Sequence, residues 1–168
     1  ITEGYIPLRN AVKERLKRVE NIAGDEDELI VVSGGQQGIE LVTKCLVNEG
    51  DTIIVEQPSF IGATNAFRSY GAHLVGVNVE NDGLNLDELE KALTENNNVK
   101  FIYTIPTFQN PMGVTMSIDK RRKLYEIAKK FGVLILEDNP YGELTFDGTK
   151  VPTIKSMDTE EIVIYSGS

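Results

Sequence analysis

Val133-Leu134-Ile135-Leu136 is an unbroken apolar run that stops at Glu137-Asp138-Asn139-Pro140-Tyr141. Four consecutive aliphatic residues bounded by turn chemistry read as a strand buried on both faces, the kind found inside a parallel sheet. A parallel strand needs a crossover on either side, so this run alone points to an α/β layered fold. Open sheets of that type bind ligands just beyond the carboxyl ends of their strands. An acid at such an end, on the rim of an apolar core, needs a cation, a metal or a protonated ring nitrogen unless it merely caps a loop.

The rest of the chain has the alternation that the run demands. Pro7 suits a first helical turn, and Leu8, Val12, Leu16 and Val19 follow at helical spacing, ending near Gly24. Leu29–Val32 reads as a short strand, broken by Ser33-Gly34-Gly35. A helix carrying Ile39, Leu41, Val42, Cys45 and Leu46 runs to Gly50-Asp51. Strands are expected at 52–56, 73–79 and 100–105, with helices at 59–69, around Leu86, Leu89 and Leu93, and from Ser117 or Asp119 to Phe131. Asn85 is a candidate helix cap. After the opening strand comes an irregular stretch and a last strand at Ile162–Tyr165. The expectation is a three-layer αβα fold with a mostly parallel sheet, with no internal repeat or flexible linker.

Composition narrows the chemistry. With 168 residues and 40% hydrophobic content, one globular unit with a sizeable core is expected. Lys+Arg 17 against Asp+Glu 26 gives a net charge of −9, which disfavours nucleic-acid or anionic-membrane partners. Cys45 is the single cysteine and is expected to be buried; His73 is the single histidine. Internal disulfides, cysteine metal cages and a Ser-His-Asp triad therefore lack material. No apolar run reaches membrane-span length and no signal peptide is visible, so a cytoplasmic protein is expected. Ile1 in place of methionine and an ending directly after a strand-like run suggest a segment of a longer polypeptide.

Four further segments carry chemistry, each at an expected strand end. Ser33-Gly34-Gly35-Gln36-Gln37-Gly38 opens a helix, where free N–H groups and the positive dipole end suit a phosphate. Its GGxxG spacing is not the dinucleotide GxGxxG, although Glu56 imitates the ribose-binding acid of that motif and keeps a nicotinamide-binding domain as an alternative. Phe60, after Gln57-Pro58-Ser59, can stack on a flat ring or pack into the core. Asn110, in Thr107-Phe108-Gln109-Asn110-Pro111-Met112-Gly113, can donate to a ligand oxygen or simply belong to a turn. Ser166-Gly167-Ser168 sets two hydroxyls beyond the last strand. Together the segments describe a pocket for an aromatic, phosphorylated ligand with a basic ring nitrogen.

In this order, with Glu137-Asp138-Asn139-Pro140-Tyr141-Gly142, the segments resemble the fold-type I pyridoxal-phosphate aminotransferases, nearest to the 2-aminoadipate and aromatic amino-acid branch. The resemblance spans Gly4-Tyr5-Ile6-Pro7-Leu8-Arg9 to the last residue. It implies pyridoxal 5'-phosphate as cofactor, an amino acid and a 2-oxo acid as substrates, and a homodimeric parent. It also implies that residues 1–168 are part of the large cofactor-binding domain, without the N-terminal arm and the small C-terminal domain. By the same resemblance Asp138 pairs with the pyridine nitrogen, Asn110 and Tyr141 bond the phenolic oxygen, and Phe60 stacks on the ring. Gly34, Gly35, Gln36, Ser166 and Ser168 are implied around the phosphate and ring edge. Relatives often carry serine where Gly35 stands. No metal site is implied.

The family's Schiff-base lysine is expected three positions after Ser168, outside this sequence, and Lys155 does not match that position. The 168-residue chain is therefore expected not to transaminate by itself. The family also places a strand between those at Ile162 and Leu29, so an altered edge and self-association are expected. MocR-type regulators share the fold and give a second reading, an effector-sensing domain; their EDDY-like segment differs from the Asn139-Pro140 interruption here.

Overall fold

The computed structural model describes residues 2–146 and 148–168. A six-stranded sheet has the order β3-β2-β1-β4-β5-β6. Its strands are β1 (Thr52–Gln57), β2 (His73–Glu80), β3 (Gly83–Leu84), β4 (Val99–Thr104), β5 (Leu134–Asn139) and β6 (Val163–Gly167). All neighbours are parallel except β3, which returns antiparallel on β2. The chain leaves β1 toward β2, then crosses back to β4, so the strand order reverses between β1 and β4, where open sheets form a ligand crevice.

Helices α1 (Ile6–Glu20), α2 (Gly35–Leu46), α3 (Ile61–Ser69), α4 (Leu86–Glu95) and α5 (Ile118–Phe131) complete the frame with a 3₁₀ turn at Lys155–Met157. Several ends follow from local chemistry. Asn85 accepts from the Glu88 N–H and Ser117 from the Lys120 N–H, while Gly132 closes α5 in a left-handed conformation.

The two-residue period of each strand sorts the core into two halves. Ile53, Val55, Phe101, Tyr103 and Leu136 meet Ile39 of α2 and Ala63 and Phe67 of α3. Ile54, Ile102, Ile135 and Val163 meet Leu89 and Leu93 of α4 and Leu124 and Ala128 of α5. Helices thus cover both faces, giving the expected three layers. Phe67 sets its ring edge-on to Phe101 and Tyr103 at 5.5 and 5.3 Å, an arrangement favoured by the ring quadrupoles.

Two expectations fail. Leu29–Val32 is not a strand: Ile30 and Val31 are exposed, and the segment is tied instead by Val31 N–H to the Glu3 carbonyl and by Arg9 to the Leu29 carbonyl. β-branched composition signals fit to a pleated surface, but a strand also needs a hydrogen-bonding neighbour, and among the described residues this segment has none in the sheet. Cys45 is exposed, not buried. Ile39 and Thr43, one turn apart, define the inward face of α2, and the helical rotation carries Cys45 away from it. β3 and the 3₁₀ turn are elements with no clear sequence signal. α1 buries only Glu20 and is held by polar links, including Lys150 to Glu20 at 2.7 Å and Arg15 to Glu143 at 2.6 Å. β6 stands at the sheet edge with β5 as its neighbour.

Candidate functional site

The strand period also separates the two acids that end β5. Glu137 shares the parity of Ile135 and points toward the α5 side; Asp138 shares the parity of Leu136 and points toward α2. Glu137 is fully buried and accepts from the Ile154 and Lys155 N–H groups, both at 2.8 Å, pinning the start of the 3₁₀ turn. Its role is structural.

Asp138 opens onto a cavity of about 190 Å³ at the carboxyl ends of β4, β5 and β6. Gly35, Gln36 and Ile39 of α2 line it, with Phe60, Ile105, Asn110, Tyr141, Ser166 and Ser168. The separate segments singled out in the sequence converge here. Gly34 caps the α2 start beside it, with φ 80° and no side-chain cap, so the first helical N–H groups stay available to an anion. Neither Gly34 nor Gly35 has an atom within 4 Å of where a Cβ would stand, which leaves the backbone open to close approach. The Phe60 ring lies over Gly62, where any Cβ would come within 2.5 Å of it. A larger hollow of about 400 Å³, between Glu20, Phe108, Phe146 and Lys150, lacks these strand-end groups.

Asp138 is buried to 6% exposure and accepts from the Tyr103 hydroxyl at 2.8 Å. Burial pushes its carboxyl above the usual range, while hydrogen bonds from Tyr103 and Ser166 pull the other way. Among the described residues no cation pairs with it. Tyr103 itself is pushed up by burial and by the Asp138 charge, so it stays a neutral donor. This orienting tyrosine was missed in the sequence; its position, one strand over and on the same face, was the signal. Asn110 donates to the Tyr141 hydroxyl at 3.3 Å, which brings an amide and a phenol from different loops together in the cavity lining.

Glu56 does not reach the cavity. It is buried on the opposite face, bonded to the Thr104 hydroxyl at 2.5 Å, the Ile105 N–H at 3.2 Å and the Gln109 amide at 2.9 Å. That removes the ribose-acid imitation that supported a dinucleotide site. Lys155 does not line the cavity either: its Nζ is held by Asp27 at 2.8 Å and Asp158 at 3.1 Å. Among the described residues no group of three metal-binding side chains occurs, and no helix is long and apolar enough to cross a membrane.

The two buried glutamates make stability depend on pH. Burial raises Glu56 and Glu137 from 4.5 to about 7. Between those values the folded chain keeps protons that the unfolded chain has released, so folding stability falls as pH rises from about 4.5 to 7 and levels above it. Asp51, Asp82, Glu88 and Asp158 are shifted downward by hydrogen bonds and lysine partners, and act oppositely at lower pH. Urea midpoints are expected to peak near pH 5 and to be lower at pH 8. A midpoint that climbs steadily from pH 5 to 8 would contradict the buried-carboxylate assignment.

The sequence pattern of the family "Aminotransferase class I and II" matches residues 2–168. The chain belongs to that family. Aromatic-amino-acid aminotransferase 1 of Thermococcus litoralis is 41% identical over 99% of this chain and 41% of its own length. A crystal structure of Pyrococcus horikoshii kynurenine aminotransferase in complex with PMP superposes with a TM-score of 0.95 at 36% identity, over 99% of this chain and 42% of that one. The MocR regulatory protein of Rhizobium meliloti is 32% identical over 98% of this chain and 32% of its length. This aminotransferase-family chain therefore spans about two fifths or less of the length of the relatives it matches.

Proposed function

We propose that residues 1–168 are the cofactor-binding part of the large domain of a pyridoxal-phosphate-dependent aminotransferase, whose parent moves an amino group between an amino acid and a 2-oxo acid. One observation carries this reading: Asp138, a buried carboxylate with no cation among the described residues, and the N-terminus of α2 line one cavity of about 190 Å³. That donor set fits a phosphorylated pyridinium. When bound, the cofactor supplies an electron sink that lets an amino acid lose its α-proton.

The chain's own residues would do the holding. Asp138, fixed by Tyr103 and Ser166, would keep the ring nitrogen protonated by charge pairing in a site of low dielectric. Phe60 would cover one ring face and exclude water from it. Asn110 and Tyr141 would donate to the phenolic oxygen, and the α2 start with Gly34, Gly35, Gln36 and Ser168 would receive the phosphate. Among the described residues no lysine lines the cavity, and the covalent lysine is proposed to belong to the parent protein. The parent is proposed to be a cytoplasmic homodimer.

Pyridoxamine 5'-phosphate tests this cleanly, because its amine cannot condense with surface lysines. It is expected to raise the melting temperature of the 168-residue chain progressively, with the logarithm of its concentration above the dissociation constant, with NAD giving no shift. Stabilisation by NAD alone would overturn the reading. The likeness to MocR favours a second reading, a sensing domain with the same pocket; a winged-helix segment encoded ahead of this chain would decide for it.

A further inference from the structure

The loop between β4 and α5 carries Asn110 on its outer bend, where its side-chain amide donates to the Tyr141 hydroxyl. The neighbouring side chain, Gln109, is 3% exposed, and its amide is fully engaged. Its Nε2 donates to Glu56 at 2.9 Å and to the Pro58 carbonyl at 2.9 Å, and its Oε1 accepts from the Met112 N–H at 2.8 Å. One side chain thus ties together the end of β1, the Pro58 turn leading to Phe60, and the bend that presents Asn110. The loop is further constrained by Gln109 N–H to the Val114 carbonyl at 2.8 Å and by Phe108 at φ 51°. Phenylalanine adopts that left-handed conformation only where its surroundings impose it.

We propose that Gln109, oriented by the buried carboxylate of Glu56, is a positioning residue that sets Asn110 and Phe60 in register across the cavity. What the cavity holds rests on the cofactor reading above; the link between the two loops does not. A carboxylate is the acceptor such a crosslink needs. It takes three donors at once, fixes which end of the Gln109 amide faces inward, and holds it more firmly than a neutral oxygen would.

The carboxylate also makes the crosslink titratable. The groups facing Glu56 are the Thr104 hydroxyl at the end of β4, the Ile105 N–H just after it, Gln109 from the loop, and across the sheet the Asp138 and Tyr103 pair. Thr104 can turn to accept a proton from Oε1, because its hydroxyl rotates. The donors on Oε2, Ile105 N–H and Gln109 Nε2, cannot reverse. Protonation therefore leaves Gln109 bonded to a weaker, neutral acceptor, and the change is passed to Asn110 through their shared backbone. Burial places this transition at about 7.

The test follows the side-chain amide resonances of Gln109 and Asn110 in the ¹⁵N-labelled 168-residue chain between about pH 5.5 and 8.5, on either side of the Glu56 transition. Both are expected to shift with one common midpoint near 7, and both to lose that transition in Glu56→Gln. Gln109→Met keeps the shape without the amide. In that variant Asn110 should lose its transition, and affinity for pyridoxamine 5'-phosphate should fall about tenfold while unfolding stays cooperative. An Asn110 resonance that does not titrate overturns the proposal, and so does a transition that survives in either variant. If the unaltered chain does not bind pyridoxamine 5'-phosphate, the cofactor reading falls, and the amide titration still decides the link.

Discussion

Replacing Arg121 with alanine is expected to cost the fold about 3–5 kcal/mol, from buried carbonyls left without donors and the cavity left by the side chain. Arg121 has 0% exposure and is among the largest fully buried side chains. Its guanidinium forms no ion pair among the described residues and donates instead to neutral oxygens. Nε reaches the Met116 carbonyl at 3.0 Å, Nη1 the Pro152 carbonyl at 3.1 Å, and Nη2 the Pro106 carbonyl at 2.8 Å and the Thr107 hydroxyl at 2.9 Å. Burial lowers its pKa to about 10, so it remains charged at neutral pH. Truncation would take the donor from the Met116 and Pro152 carbonyls, each costing about 1–3 kcal/mol when left unpaired, and open a cavity, while the Pro106 carbonyl keeps the Met116 N–H. Lysine would not rescue it, because one compact ammonium cannot span acceptors laid out for a planar fork. Urea unfolding reads the effect directly as a lower midpoint at unchanged slope. A loss below about 1 kcal/mol would show that the buried fork is dispensable.

Asp138→Asn is expected to separate binding from folding. The carboxylate is buried with hydrogen-bond donors but no cation among the described residues, which costs the empty fold. Asparagine keeps an oxygen for Tyr103 and an amide for Ser166 while shedding the charge. The chain should therefore melt at the same temperature or higher. Affinity for pyridoxamine 5'-phosphate should drop about 10–100-fold, because the proposed charge-assisted hydrogen bond to the ring nitrogen, worth about 1.5–3 kcal/mol, would be replaced by a neutral contact. Absorbance titration and thermal melting on the same samples measure both. Unchanged affinity would remove Asp138 from the site, and loss of cooperative melting would make it a structural acid like Glu137.

These residues differ in how far local pattern exposed them. Asp138, Asn110, Phe60 and Tyr141 stood out because each follows a strand and breaks an apolar rhythm, and the structure brings all four to one cavity. Asn85 and Ser117 were readable as caps because capping is satisfied within three residues. Leu29–Val32 has the composition of a strand, but strand formation depends on a hydrogen-bonding neighbour brought in by the fold, which local pattern does not encode. Cys45 lies on the apolar stripe of α2, but on the side of that stripe shared with the exposed Leu41, away from the buried Ile39 and Thr43.

Arg121 shows the boundary most plainly. In the run Asp119-Lys120-Arg121-Arg122 it reads as one more solvated charge in a first helical turn. Only packing of α5 against the Pro106 loop and Pro152 turns it inward. Gln109 and Glu56 likewise look like a turn residue and a strand-end acid until β1 and β4 lie side by side. Periodicity, caps and strand-end chemistry act over a few residues, and they were sufficient for the layered α/β architecture and for the groups that face the cavity. Which buried charges hold those groups in place was decided by contacts between segments about 14 to 53 residues apart. Such contacts carry no local signature, because their free energy exists only once the chain has folded.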